Sequence, residues 1–176
     1  MKLLTKASYN PEPNLREQEN LQIAYEAACE SVVLLKNDGA LPFSHKKVAL
    51  YGAGASMTIK GGTGSGQVRE RYSVNIAQGM ENAGFEVTSK AWLDRFDQFY
   101  ADTYEAYRLE QEEKVKGIRE FGKILHMVTP FQHPTGIPVT EEDVAASECD
   151  TAIYVLGRQA GEGNDRYDQQ GDYRLD

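Results

Sequence analysis

Residues 47–89 read KVALYGAGASMTIKGGTGSGQVRERYSVNIAQGMENAGFEVTS. The run Val48-Ala49-Leu50-Tyr51 is apolar throughout and stops at Gly52. A continuous short apolar run of this kind predicts a strand buried on both faces. A glycine-rich loop follows, from Gly52 to Gly66. Ile76, Ala77, Met80 and Ala83 then recur at helical spacing, and Gly84 closes that helix. Phe85-Glu86-Val87-Thr88 alternates like a second strand. The stretch is therefore one β-loop-α-β unit, the seed of a parallel sheet.

Downstream, residues 94–123 are rich in Asp, Glu, Tyr and Phe. Phe96, Phe99, Tyr100, Tyr104 and Tyr107 form an aromatic stripe at near-helical spacing. A long helix packing its aromatic side is the favoured reading, and a platform that stacks on sugars is the other. The proline-bearing stretch 129–138 predicts a loop. Thr140 is suited to cap a short acidic helix ending near Cys149-Asp150. Thr151-Ala152-Ile153-Tyr154-Val155-Leu156 is the clearest strand of the chain and ends at Gly157. A polar loop, residues 158–171, follows. Upstream, residues 1–16 carry Pro11 and Pro13 and read as a leader or linker. Leu21, Ala24, Ala28 and Val32 predict a helix over 16–35, stopped by Asn37-Asp38-Gly39. The expected fold is α/β: an open, mostly parallel sheet flanked by helices (an α/β sandwich). A doubly wound domain needs more strands and helices than 176 residues hold here, so the sandwich is expected to be incomplete in this chain.

Composition narrows the function. A closed eight-fold barrel needs roughly 200 residues or more, beyond this chain. The net charge of −8 argues against binding to phosphate backbones or anionic membranes, which rests on clustered Lys and Arg. It is compatible with a neutral or cationic small-molecule partner. Cys29 and Cys149 have no metal-ligand spacing with each other or with histidines, and read as two buried thiols in a reducing compartment. No metal or organic cofactor is implied. Met1 to Lys6 lacks an apolar leader, and no apolar run approaches the ~20 residues of a membrane helix. The default localisation is cytoplasmic.

Two glycine-rich segments are the candidates for chemistry. In Lys60-Gly61-Gly62-Thr63-Gly64-Ser65-Gly66, glycines let the backbone approach a ligand closely or simply make the loop flexible. A P-loop requires Lys and Ser/Thr directly after its last glycine, but Gln67-Val68 stand there. Gly52-Ala53-Gly54 opens a dinucleotide fingerprint that fails at Met57, where its third glycine belongs. The second segment, Gly157 to Arg166, follows the clearest strand, and open α/β sheets bind ligands beyond the carboxyl ends of their strands. Glu162 lies there between Gly161 and Gly163, free of bulky neighbours, and Asp165 and Arg166 are placed to pair or to fix the loop. On local pattern alone an acidic loop residue such as Glu162 is ordinarily just solvated.

Four stretches in order resemble glycoside hydrolases of family 3. They are residues 27–42 (AACESVVLLKNDGALP), the strand Val48 to Gly52, residues 60–66 (KGGTGSG), and residues 157–166 (GRQAGEGNDR) with 171–175 (GDYRL). The likeness runs from about Leu21 to the last residue and is to the second, α/β sandwich domain of the bacterial β-glucosidase branch. It implies a domain over 17–176, shortened at its C-terminal side. The resemblance makes Glu162 the general acid/base of a retaining β-glycosidase that hydrolyses terminal non-reducing β-D-glucosyl residues. It places Ser65 near the bound sugar, with Gly64, Gly66, Gly161, Gly163, Asp165 and Arg166 supporting the two loops. The nucleophile is then an Asp of a barrel domain absent from this chain, and the chain alone is expected to be inactive. The implied partners are a β-glucoside or oligosaccharide substrate and that barrel domain, with no nucleic acid and no membrane. The alternative from another class is a non-catalytic carbohydrate-binding or interaction module on the same fold.

Overall fold

The structure, a computed structural model, describes residues 10, 12–62, 70, 72–118, 131–161, 166–170 and 172–174. It divides into two compact units, Met1–Ser44 and His45–Asp176.

In the first unit, α1 spans Leu15–Ser31. Asn14 Oδ1 accepts from Glu17 N at 3.0 Å, and Glu17 Oε2 accepts from Asn14 N at 2.8 Å. This reciprocal box satisfies two of the free amides at the helix start. The expected helix over 16–35 is thus too long. Val32 is extended (φ −75°, ψ 122°), because adjacent β-branched Val32 and Val33 are poor helix formers. No residue of α1 is buried, so Cys29 is exposed rather than buried, and both cysteines are free thiols.

The second unit is built on three parallel strands in the order β2-β1-β3. β1 is Lys47–Tyr51, β2 is Glu86–Val87 and β3 is Ala152–Tyr154. Lys47 pairs with Glu86 on one side, and Ala49 pairs with Ala152 on the other. As the central strand, β1 buries Val48, Ala49, Leu50 and Tyr51, as its unbroken apolar run predicts. Where β2 ends, Ser89 takes over its ladder. Its hydroxyl accepts from Leu50 N at 2.8 Å and donates to Leu50 O at 2.6 Å, so a buried side chain satisfies a buried backbone.

Among the described residues of this unit the helices are, in sequence, α2 (Ala53–Ser56), α3 (Ile76–Asn82), α4 (Lys90–Lys114) and α5 (Glu141–Ser147). Asn75 with Gln78, and Thr140 with Asp143, close capping boxes at the starts of α3 and α5. α4 begins four residues before the expected helix, and that first turn carries the core. Trp92, Leu93 and Phe96 are buried, with Trp92 edge-on to Tyr51 and stacked on Phe96. Trp92 Nε1 donates to Pro138 O at 3.1 Å, which satisfies the indole and holds the loop after α4. Further along, Tyr100, Tyr104 and Tyr107 enclose Phe131, and the Tyr100 hydroxyl lies 2.8 Å from His133 Nδ1. Most of the aromatic stripe is therefore spent on packing, while Phe99 and Tyr104 remain partly at the surface.

Arg95 of α4 grips Asp143 of α5 through two bonds of 2.8 and 2.9 Å. Hydrogen bonds from Arg95, then from Thr140 N, lower the Asp143 pKa from 3.8 to about 2. The stability this gives is fully present above the unfolded-state value near 3.8. It is lost as pH falls through about 2. Asp143→Asn is expected to flatten the fall of the urea midpoint between pH 4 and pH 2, compared with the unaltered chain.

Candidate functional site

The site lies at the carboxyl ends of β1 and β3, where backbone meets backbone. Gly52 adopts φ 86° and ψ 150°, a region essentially reserved for glycine. A Cβ on it would run into the carbonyl of Val155. A Cβ on Gly54 would come within 2.7 Å of Val155 Cγ1, and one on Gly157 within 3.3 Å of Gly54 N. Gly54 N donates to Val155 O at 3.1 Å and Val155 N to Tyr51 O at 2.8 Å, so the chain after β3 runs tightly against the β1–α2 turn. Gly52 and Gly54, which open the partial dinucleotide fingerprint, thus serve this close approach. The loop after α4 arrives at the same place: a Cβ on Gly136 would sit 3.6 Å from Tyr154 Oη and 3.8 Å from Ala53 N.

This packing brings the described flanks of the two glycine-rich segments to one edge. Gln159 Nε2 donates to Gly61 O at 3.0 Å, and a Cβ on Gly62 would lie 2.9 Å from Ala160 O. The first segment is clipped at both ends. Thr58 Oγ1 donates to Gly54 O at 2.8 Å and accepts from Ile76 N at 2.9 Å. Lys60 Nζ pairs with Glu70 and donates to Ser73 Oγ at 2.5 Å. The second segment is clipped by Arg158 and Arg166, which both reach Asp172. Arg166 therefore pairs with Asp172.

Of the residues singled out from sequence, Gly161 and Arg166 are described, and Gly161 is half-buried at this edge. Glu162, Gly163, Asp165, Ser65, Gly64 and Gly66 lie outside the described residues. The flanks that are described, Gly61–Gly62 and Gln159–Gly161, stand side by side. Sequence reasoning overlooked Arg158, Gln159 and Asp172. Their signal was present: two basic residues bracket the glycine segment, and an acid follows six residues after the second. Among the described residues no cluster of His, Cys, Asp and Glu is arranged to hold a metal ion, and no helix is long and apolar enough to cross a membrane.

A parallel α/β sheet with the flanks of two glycine-rich segments side by side at its carboxyl edge defines the class of domain, an open α/β sheet whose crevice lies at that edge. The chain belongs to the glycosyl hydrolase family 3 C-terminal domain, whose family model matches residues 32–174. It is 35% identical over 162 residues to β-glucosidase A of Butyrivibrio fibrisolvens, covering 89% of this chain and 17% of that protein. A probable exo-1,4-β-xylosidase of Aspergillus japonicus is 42% identical over 54 residues, 27% of this chain and 7% of that protein. Among solved structures, β-glucosidase 3B from Thermotoga neapolitana in complex with α-D-glucose superposes with a TM-score of 0.58 at 35% identity. That match covers 93% of this chain and 21% of the other. The chain thus spans about a fifth of the length of these β-glucosidases.

Proposed function

We propose that this chain is the acid/base-bearing part of a retaining β-glycosidase, a β-glucosidase, that works with a barrel domain supplying the nucleophile. Residues 17–176 form its sandwich domain, and residues 1–16 are the linker. The observation that carries this function is the meeting of the two glycine-rich segments at the carboxyl ends of β1 and β3, joined by Gln159 and Gly61. In sequence, Ser65 belongs to the first of these segments and Glu162 to the second. Family membership and the two β-glucosidase relatives support the substrate class.

A retaining glycosidase needs two carboxyl groups about 5 Å apart, one nucleophilic and one protonated. Glu162 supplies the protonated one. In the first step the barrel-borne Asp attacks the anomeric carbon while Glu162 gives its proton to the leaving oxygen. The glycosidic C–O bond breaks and a glycosyl-enzyme forms. In the second step Glu162, now a carboxylate, takes a proton from water as that water displaces the Asp. The acid of such a pair must stay protonated for the first step, and a neighbouring negative carboxylate favours that form. Ser65 contacts the sugar. A cytoplasmic location belongs to this proposal and is supported by two free thiols.

The test is stereochemical. This chain alone is expected not to hydrolyse an aryl β-glucoside. With the barrel domain, in cis or in trans, proton NMR should show β-glucose released first. Turnover by the chain alone, or α-glucose as the first product, would overturn the proposal.

A further inference from the structure

We infer that Asp172 is a positioning residue for the acid/base carboxyl, holding together the two ends of the segment that carries it; this rests on the acid/base role of Glu162 proposed above. Arg158 and Arg166 bracket that segment. Arg158 Nε donates to the Asp172 carbonyl oxygen at 2.7 Å, and Arg158 Nη1 donates to Gly157 O at 3.0 Å. Arg166 Nη2 donates to the same carbonyl oxygen and, at 2.6 Å, to the Asp172 carboxylate. The other carboxylate oxygen accepts from Tyr167 N at 2.7 Å. One residue therefore receives both brackets and the backbone just after the second.

The Arg166 and Asp172 side chains are only 25% and 23% exposed, so the pair is shielded from competing water. Asp172 is itself held by a compact turn. Arg174 pairs with Asp168 at 2.6 Å, and Tyr173 N donates to Tyr167 O at 3.2 Å. Tying the ends of a short segment restricts where its middle can go. A proton donor displaced by about 1 Å loses on the order of 10²-fold in rate.

The experiment uses the enzyme formed by this chain with its barrel domain. Asp172→Ala, which removes the carboxylate that holds Arg166 and Tyr167 N, and Arg158→Met, which frees the first end from the Asp172 carbonyl, are each expected to lower kcat/KM about 10²-fold for an alkyl β-glucoside and less than about threefold for a dinitrophenyl β-glucoside, whose leaving group needs no proton. Arg166→Met should show the same selectivity and reports it if Asp172→Ala does not fold. The double variant should lose no more than the more damaging single, since both disrupt one unit. Equal losses on both substrates, or fully additive losses, would mean that the cluster only stabilises the fold and would overturn the inference. Glu162→Gln is the control. Selectivity there but not in the Asp172 and Arg166 variants overturns this inference alone. No selectivity in Glu162→Gln removes the acid/base proposal and this inference with it.

Discussion

Glu162→Gln is expected to lower kcat/KM for alkyl and oligosaccharide β-glucosides by about 10²–10⁴-fold, the usual contribution of a positioned general acid. Glutamine keeps the size of the side chain but has no acidic proton to give. The size of the loss should follow the leaving group. An alkoxide departs with difficulty unless it is protonated, so it bears the full loss. A dinitrophenolate leaves unaided, so its kcat/KM, which reports glycosylation, should barely change. Its kcat should still fall, because the variant has no base to activate water in the second step. The glycosyl-enzyme then accumulates and KM drops with kcat. A series of aryl β-glucosides of graded leaving-group acidity measures all of this. A uniform loss across the series would assign Glu162 to binding or support.

Trp92→Ala is expected to destabilise the His45–Asp176 unit by about 3–5 kcal/mol. Trp92 is 1% exposed, lies edge-on to Tyr51 of the central strand and stacks on Phe96. Its loss opens a large cavity where α4 meets the sheet and leaves Pro138 O without its donor. Domain stabilities run about 5–15 kcal/mol, so the change consumes a large share of the total. Thermal unfolding should drop by on the order of 10 °C. Trp92→Phe keeps most of the ring but not the N–H, and should cost far less. Calorimetry on the three proteins decides it. Similar melting temperatures for Trp92→Ala and the unaltered chain would mean that the indole is not a keystone.

The central features of the fold were legible because they rest on local rules. The unbroken apolar run Val48 to Tyr51 is the strand buried on both faces. Thr140 and Asp143 announce the α5 cap in sequence, and the structure contains it. Differences arise where helical spacing conflicts with residue preference or where tertiary contacts decide. Val32 looked helical by spacing, yet its branched side chain and that of Val33 favour extended backbone. Trp92 and Leu93 stand among the polar residues Lys90, Asp94 and Arg95, so their burial shows only in the packed structure. The strand read as 151–156 is shorter as a strand. Its last residues leave the sheet to bond the β1–α2 turn. The candidate site was visible as two glycine-rich segments, but no local pattern says that Gln159 reaches Gly61, or that Arg166 chooses Asp172. The first pairing joins residues brought together only by the parallel topology, and the second is made within one turn of the loop after β3.

That topology also sets an order of assembly. β1 pairs with β2 across a span of about 40 residues, but with β3 across about 100. Closing the longer span costs more chain entropy, and its reward comes only when β1 is already in place. The β1–α3–β2 unit can therefore form while β3 is still unpaired, even during synthesis, when β3 emerges late. Docking of β3 is what brings Gln159 to Gly61. The edge where Gln159 meets Gly61 is thus completed by the last long-range pairing, so a molecule stalled partway retains much of its core without that edge.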